Sequence, residues 1–159
     1  MRPMITRSIA AAALVLATAC GDGGVAPKPS PAGFTANVSG ASTASLSGSA
    51  GFLTTQAAFT IALLSTSDQG TSIQFTRLAG TPAAGSYSLA PSQQSGNFVA
   101  VYGGGGQNNY VATSGTLTIA SLSGDRMKGS FSFTATGGPT GTGTITVAGN
   151  FDATRLSAP

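Results

Sequence analysis

The chain has 159 residues, seven Lys and Arg against four acidic residues, a single cysteine and no histidine. The lack of histidine excludes His-based triads, Cys-His pairs and histidine-ligated zinc or iron, and because all four acids are aspartate a glycosidase would depend on two aspartates facing across a cleft. A net charge of +3 with no basic cluster gives nucleic acid nothing to bind.

In chain order, residues 1–19 come first. Arg2 and Arg7 make a basic start, Ile9 to Ala19 is an unbroken small and apolar run, and Ala17-Thr18-Ala19-Cys20 closes it. A secretory leader has an apolar stretch of about 7–15 residues and small residues before the cut. A spanning helix needs about 20 apolar residues, and Arg7 blocks extension backwards. Residues 1–19 are therefore expected to be a cleaved signal peptide, cut between Ala19 and Cys20. Ala17-Thr18-Ala19 also suits ordinary secretion, but that route would leave an unpaired thiol in an oxidising compartment.

The same four residues resemble the lipobox of bacterial lipoproteins, with Ala17 where Leu is commoner. That resemblance implies a lipid (palmitate-class acyl chains) on Cys20, which is then a membrane attachment point and no nucleophile. Each buried CH₂ contributes about 0.8 kcal/mol, so two or more chains hold a protein to a bilayer. Gly21 follows the cysteine where inner-membrane retention would place Asp, so the resemblance implies the outer membrane of a two-membrane envelope, on its periplasmic or surface face. With the leader gone, five Lys and Arg remain against four Asp, a net charge of +1.

Residues 20–33 form a tether. Pro27, Pro29 and Pro31 alternate with Lys28 and Ser30 between flanking glycines, a pattern that favours extended polyproline-II of about 3.1 Å per residue. Residues 34–156 form one β domain, long enough to build a core without disulfides. Residues 157–159 are a tail.

Within the domain the hydrophobic period is two. Phe34, Ala36 and Val38 alternate with Thr35, Asn37 and Ser39; Leu46, Ala50 and Phe52 with serines; Leu117 and Ile119 with threonines. Met127, Phe131, Phe133 and Ala135 oppose Lys128, Ser130, Ser132 and Thr134, and Ile145, Val147 and Phe151 oppose Thr144, Thr146 and Asn150. Each such run predicts a strand with one dry face. Residues 57–64 and 98–102 are apolar on both faces and predict central or doubly covered strands. Turn residues at 67–70, 81–85, 103–109, 123–126 and 137–143 separate the runs. The fold class expected is all-β: a single antiparallel β-sandwich or a small up-and-down, calycin-like barrel of about nine strands.

Phe34-x-Ala36-x-Val38-x-Gly40, Gly85-x-Tyr87-x-Leu89, Ser114-Gly115-Thr116-Leu117-Thr118-Ile119, Gly129-Ser130-Phe131-Ser132-Phe133-Thr134-Ala135 and Gly149-Asn150-Phe151 are similar to patterns in uncharacterised small bacterial lipoproteins with a β-rich domain. The resemblance implies a lipid anchor and β architecture, and it brings no catalytic residue.

Asp68 and Asp125 sit in turn sequences and Asp152 on a polar strand face, which points to turn and surface roles. Gly103, Gly104, Gly105, Gly106, Gln107, Asn108 and Asn109 could cradle a phosphate only with a helix behind them. The chain instead runs on into Tyr110-Val111, so the segment reads as a hairpin loop with a possible recognition role. Asn37-Val38-Ser39 matches the glycosylation pattern but lies inside an expected strand. The functional expectation is a non-catalytic interaction or structural domain displayed in the cell envelope, with no cofactor, metal or nucleic-acid partner. Two alternatives stand beside it: a barrel binding a small apolar ligand, and a membrane barrel with its Ser/Thr faces inward.

Overall fold

A computed structural model describes residues 31–78, 80–92, 96–105, 108–138 and 142–157. The leader, Cys20 and the tether up to residue 30 lie outside the described residues. Nine strands follow one another: β1 (Gly33–Gly40), β2 (Ala44–Thr54), β3 (Ala58–Ser65), β4 (Ser72–Leu78), β5 (Gly85–Ser88), β6 (Val99–Gly104), β7 (Asn108–Ser123), β8 (Arg126–Gly137) and β9 (Thr144–Arg155).

Eight of them close on themselves as an antiparallel meander, β1-β2-β3-β4-β6-β7-β8-β9, with β9 returning to β1 and β7 pairing β8. This is the up-and-down barrel and not the sandwich. A parallel contact of Gly51 and Phe52 with Thr154 and Arg155 carries the closure past the start of β1. The ninth strand, β5, stands outside the meander. β7 is long enough to take β6 against Asn108 to Val111 and β5 against Thr116 to Ile119 along one edge. Irregular register at residues 112–114 and 119–121 of β7 bends it around the barrel.

Alternation places the dry face inside. Phe34, Ala36 and Val38, then Leu46, Ala50 and Phe52, and their counterparts on the later strands are all buried, while Thr35, Asn37, Ser45, Ser47, Ser132 and Thr146 are exposed. A lipid-facing barrel needs the reverse, so the orientation argues against the membrane-barrel alternative. Filling a narrow barrel requires large residues to meet small ones. Four phenylalanines stand opposite inward glycines: Phe34 with Gly48, Phe131 with Gly149, Phe151 with Gly129 and Phe133 with Gly115. A Cβ on Gly129 would lie 2.6 Å from the Phe151 ring, and one on Gly149 would lie 2.8 Å from the Phe131 ring. The glycines make the space that the rings occupy.

The aromatic residues form three tiers along the axis. Phe52, Phe59, Phe98 and Tyr87 meet at 5.3–6.3 Å near the end where β1 begins. Phe75, Phe131, Phe133 and Phe151 occupy the middle, and Tyr102 pairs with Tyr110 at 5.9 Å towards the far end.

The runs that are apolar on both faces are not doubly covered. β3 alternates buried Phe59, Ile61 and Leu63 with more open neighbours, and Leu64 is 56% exposed. In residues 98–102, Val99 and Val101 are only partly buried. A single-layer barrel has no second sheet to cover its outside, so outward apolar residues stay half wet.

Candidate functional site

The meander gives the barrel two unlike ends. The chain enters at Gly33 on one rim, which also carries the 55–57 and 124–125 turns and the C-terminal residues. The opposite end gathers the turns at 41–43 and 66–71 with Gly105 at the end of β6, Gly138 at the end of β8 and Thr142 and Gly143 before β9. At this distal mouth lies a cavity of about 400 Å³, lined by residues 41–44, Asp68, Tyr102, Gly104, Gly105, Tyr110 and Thr142.

Its walls follow from local structure. Tyr102 on β6 and Tyr110 on β7 are cross-strand partners one turn from the loop, so both rings point inward and are only 3% and 5% exposed. A buried phenol needs a partner for its hydroxyl; that of Tyr110 donates to the Thr142 carbonyl at 3.5 Å. Thr71, at 2% exposure the buried polar side chain of the described core, ties two turns together. Its hydroxyl donates to Asp68 Oδ2 at 2.8 Å and accepts from the Gly105 amide at 3.2 Å. The Thr71 amide also donates to the Asp68 carbonyl at 3.1 Å. The 66–71 turn is thereby clipped to Gly105 at the end of β6.

The electrostatics are one-sided. Burial, then the nearby Asp68 carboxylate, push the Tyr102 phenol above its ordinary value, with Thr71 partly opposing them. Such a phenol remains a proton donor at any physiological pH. Asp68 itself is exposed. The mouth thus offers a carboxylate, two phenols and turn backbone, a set suited to hydrogen-bonding a neutral or cationic polar group.

Of the loop residues singled out in the sequence, Gly104 and Gly105 line the cavity. Gly103 and Gly104 extend β6 and pair with Asn109 and Asn108, while Gly106 and Gln107 lie outside the described residues. The loop does share its end with the other polar turns. Sequence reasoning missed Tyr102, Tyr110 and Thr71, which read as strand and turn residues. The available signal was a tyrosine at the last inward position before a turn, where a hydroxyl reaches the mouth while the ring stays in the core.

The other described aspartates are committed to cations. Arg126 holds Asp152 at 2.7 Å with Lys128 at 3.5 Å, and Arg155 holds Asp125 at 3.1 Å. The hydrogen bond from Arg126, ahead of the charges, keeps the Asp152 carboxyl below its ordinary range. Both pairs lie at the entry rim, a barrel's length from Asp68, and a small apolar guest inside the barrel would have to displace the phenylalanine tiers.

These features define a class by fold, a closed eight-stranded antiparallel barrel with a side-chain-filled interior and one polar mouth. No protein-family model, curated protein or solved structure matches the chain.

Proposed function

We propose that the protein is a lipid-anchored lipoprotein of the bacterial cell envelope whose barrel works by contact through its distal mouth, without bond-making of its own. The observation that carries this reading is polarity: the segment leading from Cys20 enters at one rim, and the polar cavity opens at the other. A tether of this length spans about 40 Å when extended at ~3.1 Å per residue. Anchored at Cys20, the barrel would turn its entry rim towards the bilayer and its mouth outward. The ion-paired state of Asp125 and Asp152, and the distance of both from Asp68, support a non-catalytic role. The contact would be with a polar group of a protein or small molecule, since the mouth is hydrogen-bonding in character.

Fractionation of cells making the natural chain and Cys20→Ser tests the anchor. The natural chain should sediment with membranes and carry an acylated mature N-terminus by mass spectrometry, and the variant should be released. Retention of Cys20→Ser with membranes, or an unmodified thiol on the mature chain, overturns the proposal.

A further inference from the structure

The charges of the barrel are gathered at one end. All four Lys and Arg among the described residues fall within three residues of a strand terminus at the entry rim: Arg77 at the end of β4, Arg126 and Lys128 at the start of β8, and Arg155 at the end of β9. Against Asp125 and Asp152 the rim carries four positive and two negative charges, a net of +2, whereas the distal mouth carries Asp68. Of the three large apolar side chains left exposed among the described residues, Leu78 (52%) and Leu156 (47%) are on the same rim.

Arg77 differs from the other three cations. The others hold aspartates; Arg77 lies over the Tyr87 ring, 5.4 Å from its centroid, as Arg155 lies over Phe52 at 5.2 Å, but no carboxylate meets it and its buried Nε has no hydrogen-bond acceptor. A guanidinium fixed on an aromatic face, with no carboxylate on it, can turn its terminal N–H groups to two oxygens of a phosphate. Cations interspersed with exposed leucines are what an interfacial surface needs: charge to meet anionic headgroups, and apolar groups to enter the boundary beneath them.

We infer that the entry rim is a membrane-docking face, with Arg77 on a lipid phosphate and Leu78 and Leu156 at the headgroup boundary, so that the barrel stands on the bilayer with its mouth pointing away. The orientation rests on the anchor reading above, since the tether brings this rim to the lipid. The contact itself needs no acyl chain. A net +2 surface binds weakly alone and gains from the high local lipid concentration that a tether imposes.

Flotation of the leaderless chain carrying Cys20→Ser with vesicles tests the face without the anchor, so failure here is distinguishable from failure of lipidation. The chain should float with phosphatidylglycerol vesicles at about 0.02 M salt. It should be lost at about 1 M salt, where the screening length falls to about 3 Å, and should bind phosphatidylcholine vesicles far less. Arg77→Gln should weaken partition about fivefold, the effect of one cation near an anionic surface. Leu78→Ser with Leu156→Ser should weaken it while the chain stays folded, the part of Leu156 that packs over Gly51 costing some thermal stability, and Asp68→Asn at the far end should leave it unchanged. Absent or equal binding to anionic and neutral vesicles overturns the inference. So does undiminished binding by both the folded leucine double variant and Arg77→Gln, or displacement by inorganic phosphate at constant ionic strength, which would mark a soluble-anion site.

Discussion

At the entry rim the chain doubles back between Leu78 and Val99 and lays Tyr87, Leu89 and Phe98 against the core, whereas at the distal mouth short polar turns leave a cavity of about 400 Å³. Both ends are made by the same eight strands, so the difference does not come from the barrel wall. It comes from what is added at the strand ends: an apolar excursion and paired charges on one side, phenols and a hydroxyl clip on the other. A filled barrel leaves its ends free to specialise, because neither end has to hold the wall together.

The largest test of this contrast is Phe98→Ala. The ring is fully buried and packs edge-on against Phe59 at 6.3 Å and Tyr87 at 5.3 Å. Its loss should cost about 3–5 kcal/mol by chemical denaturation. A cost below about 1 kcal/mol would mean that the excursion does not close the entry end.

Gly129→Ala comes next and tests the wall between the ends. The added methyl would press on the Phe151 ring and the Thr118 carbonyl, and the expected loss is about 1–3 kcal/mol. Gly129→Ala combined with Phe151→Leu should recover part of it, because the smaller side chain vacates the space. Additive losses in the double variant would argue against the ring-over-glycine account.

Smaller still is the charge cluster at the entry rim. Asp152 has its carboxyl depressed in the folded protein, so its contribution is full above the ordinary carboxylate value and disappears as pH falls through the folded one. Asp152→Asn should therefore lower stability by about 1 kcal/mol at neutral pH, with the difference from the natural chain fading as pH falls through the depressed folded value. A difference that persists in acid would point to packing rather than ionisation.

The smallest effect belongs to the mouth. Tyr102 is raised in the folded state, so its contribution is present below its ordinary value and is lost as pH climbs through the folded one. Absorbance titration should show the Tyr102 phenol ionising after a free tyrosine, and Tyr102→Phe should remove that late contribution while changing stability by about 1 kcal/mol or less. If the late contribution survives in Tyr102→Phe, the slow phenol is elsewhere and the mouth is less enclosed than its geometry indicates.

Much of the wall was legible in the residues themselves. Met127, Phe131, Phe133 and Ala135 declare β8, and Ile145, Val147 and Phe151 declare β9, because side-chain alternation is a local property of an extended chain. The residues 57–64 misled for the same reason. Their composition shows that both faces are apolar, but whether a second layer covers the outer face depends on the rest of the fold. Tyr102, Tyr110 and Thr71 were opaque because a site assembled from separate strand ends and turns has no signature in any one of them.

Period, turn positions and the dry face of each strand are thus written in the order of residues, as are the leader-like start and the cysteine that follows it. Tertiary structure alone decided that β9 returns to β1, that β5 leaves the meander to complete the edge of β7, and that every described cation shares one rim. Alternation is set between neighbours, whereas closure depends on pairings across more than a hundred residues, each specified only when all the others are in place.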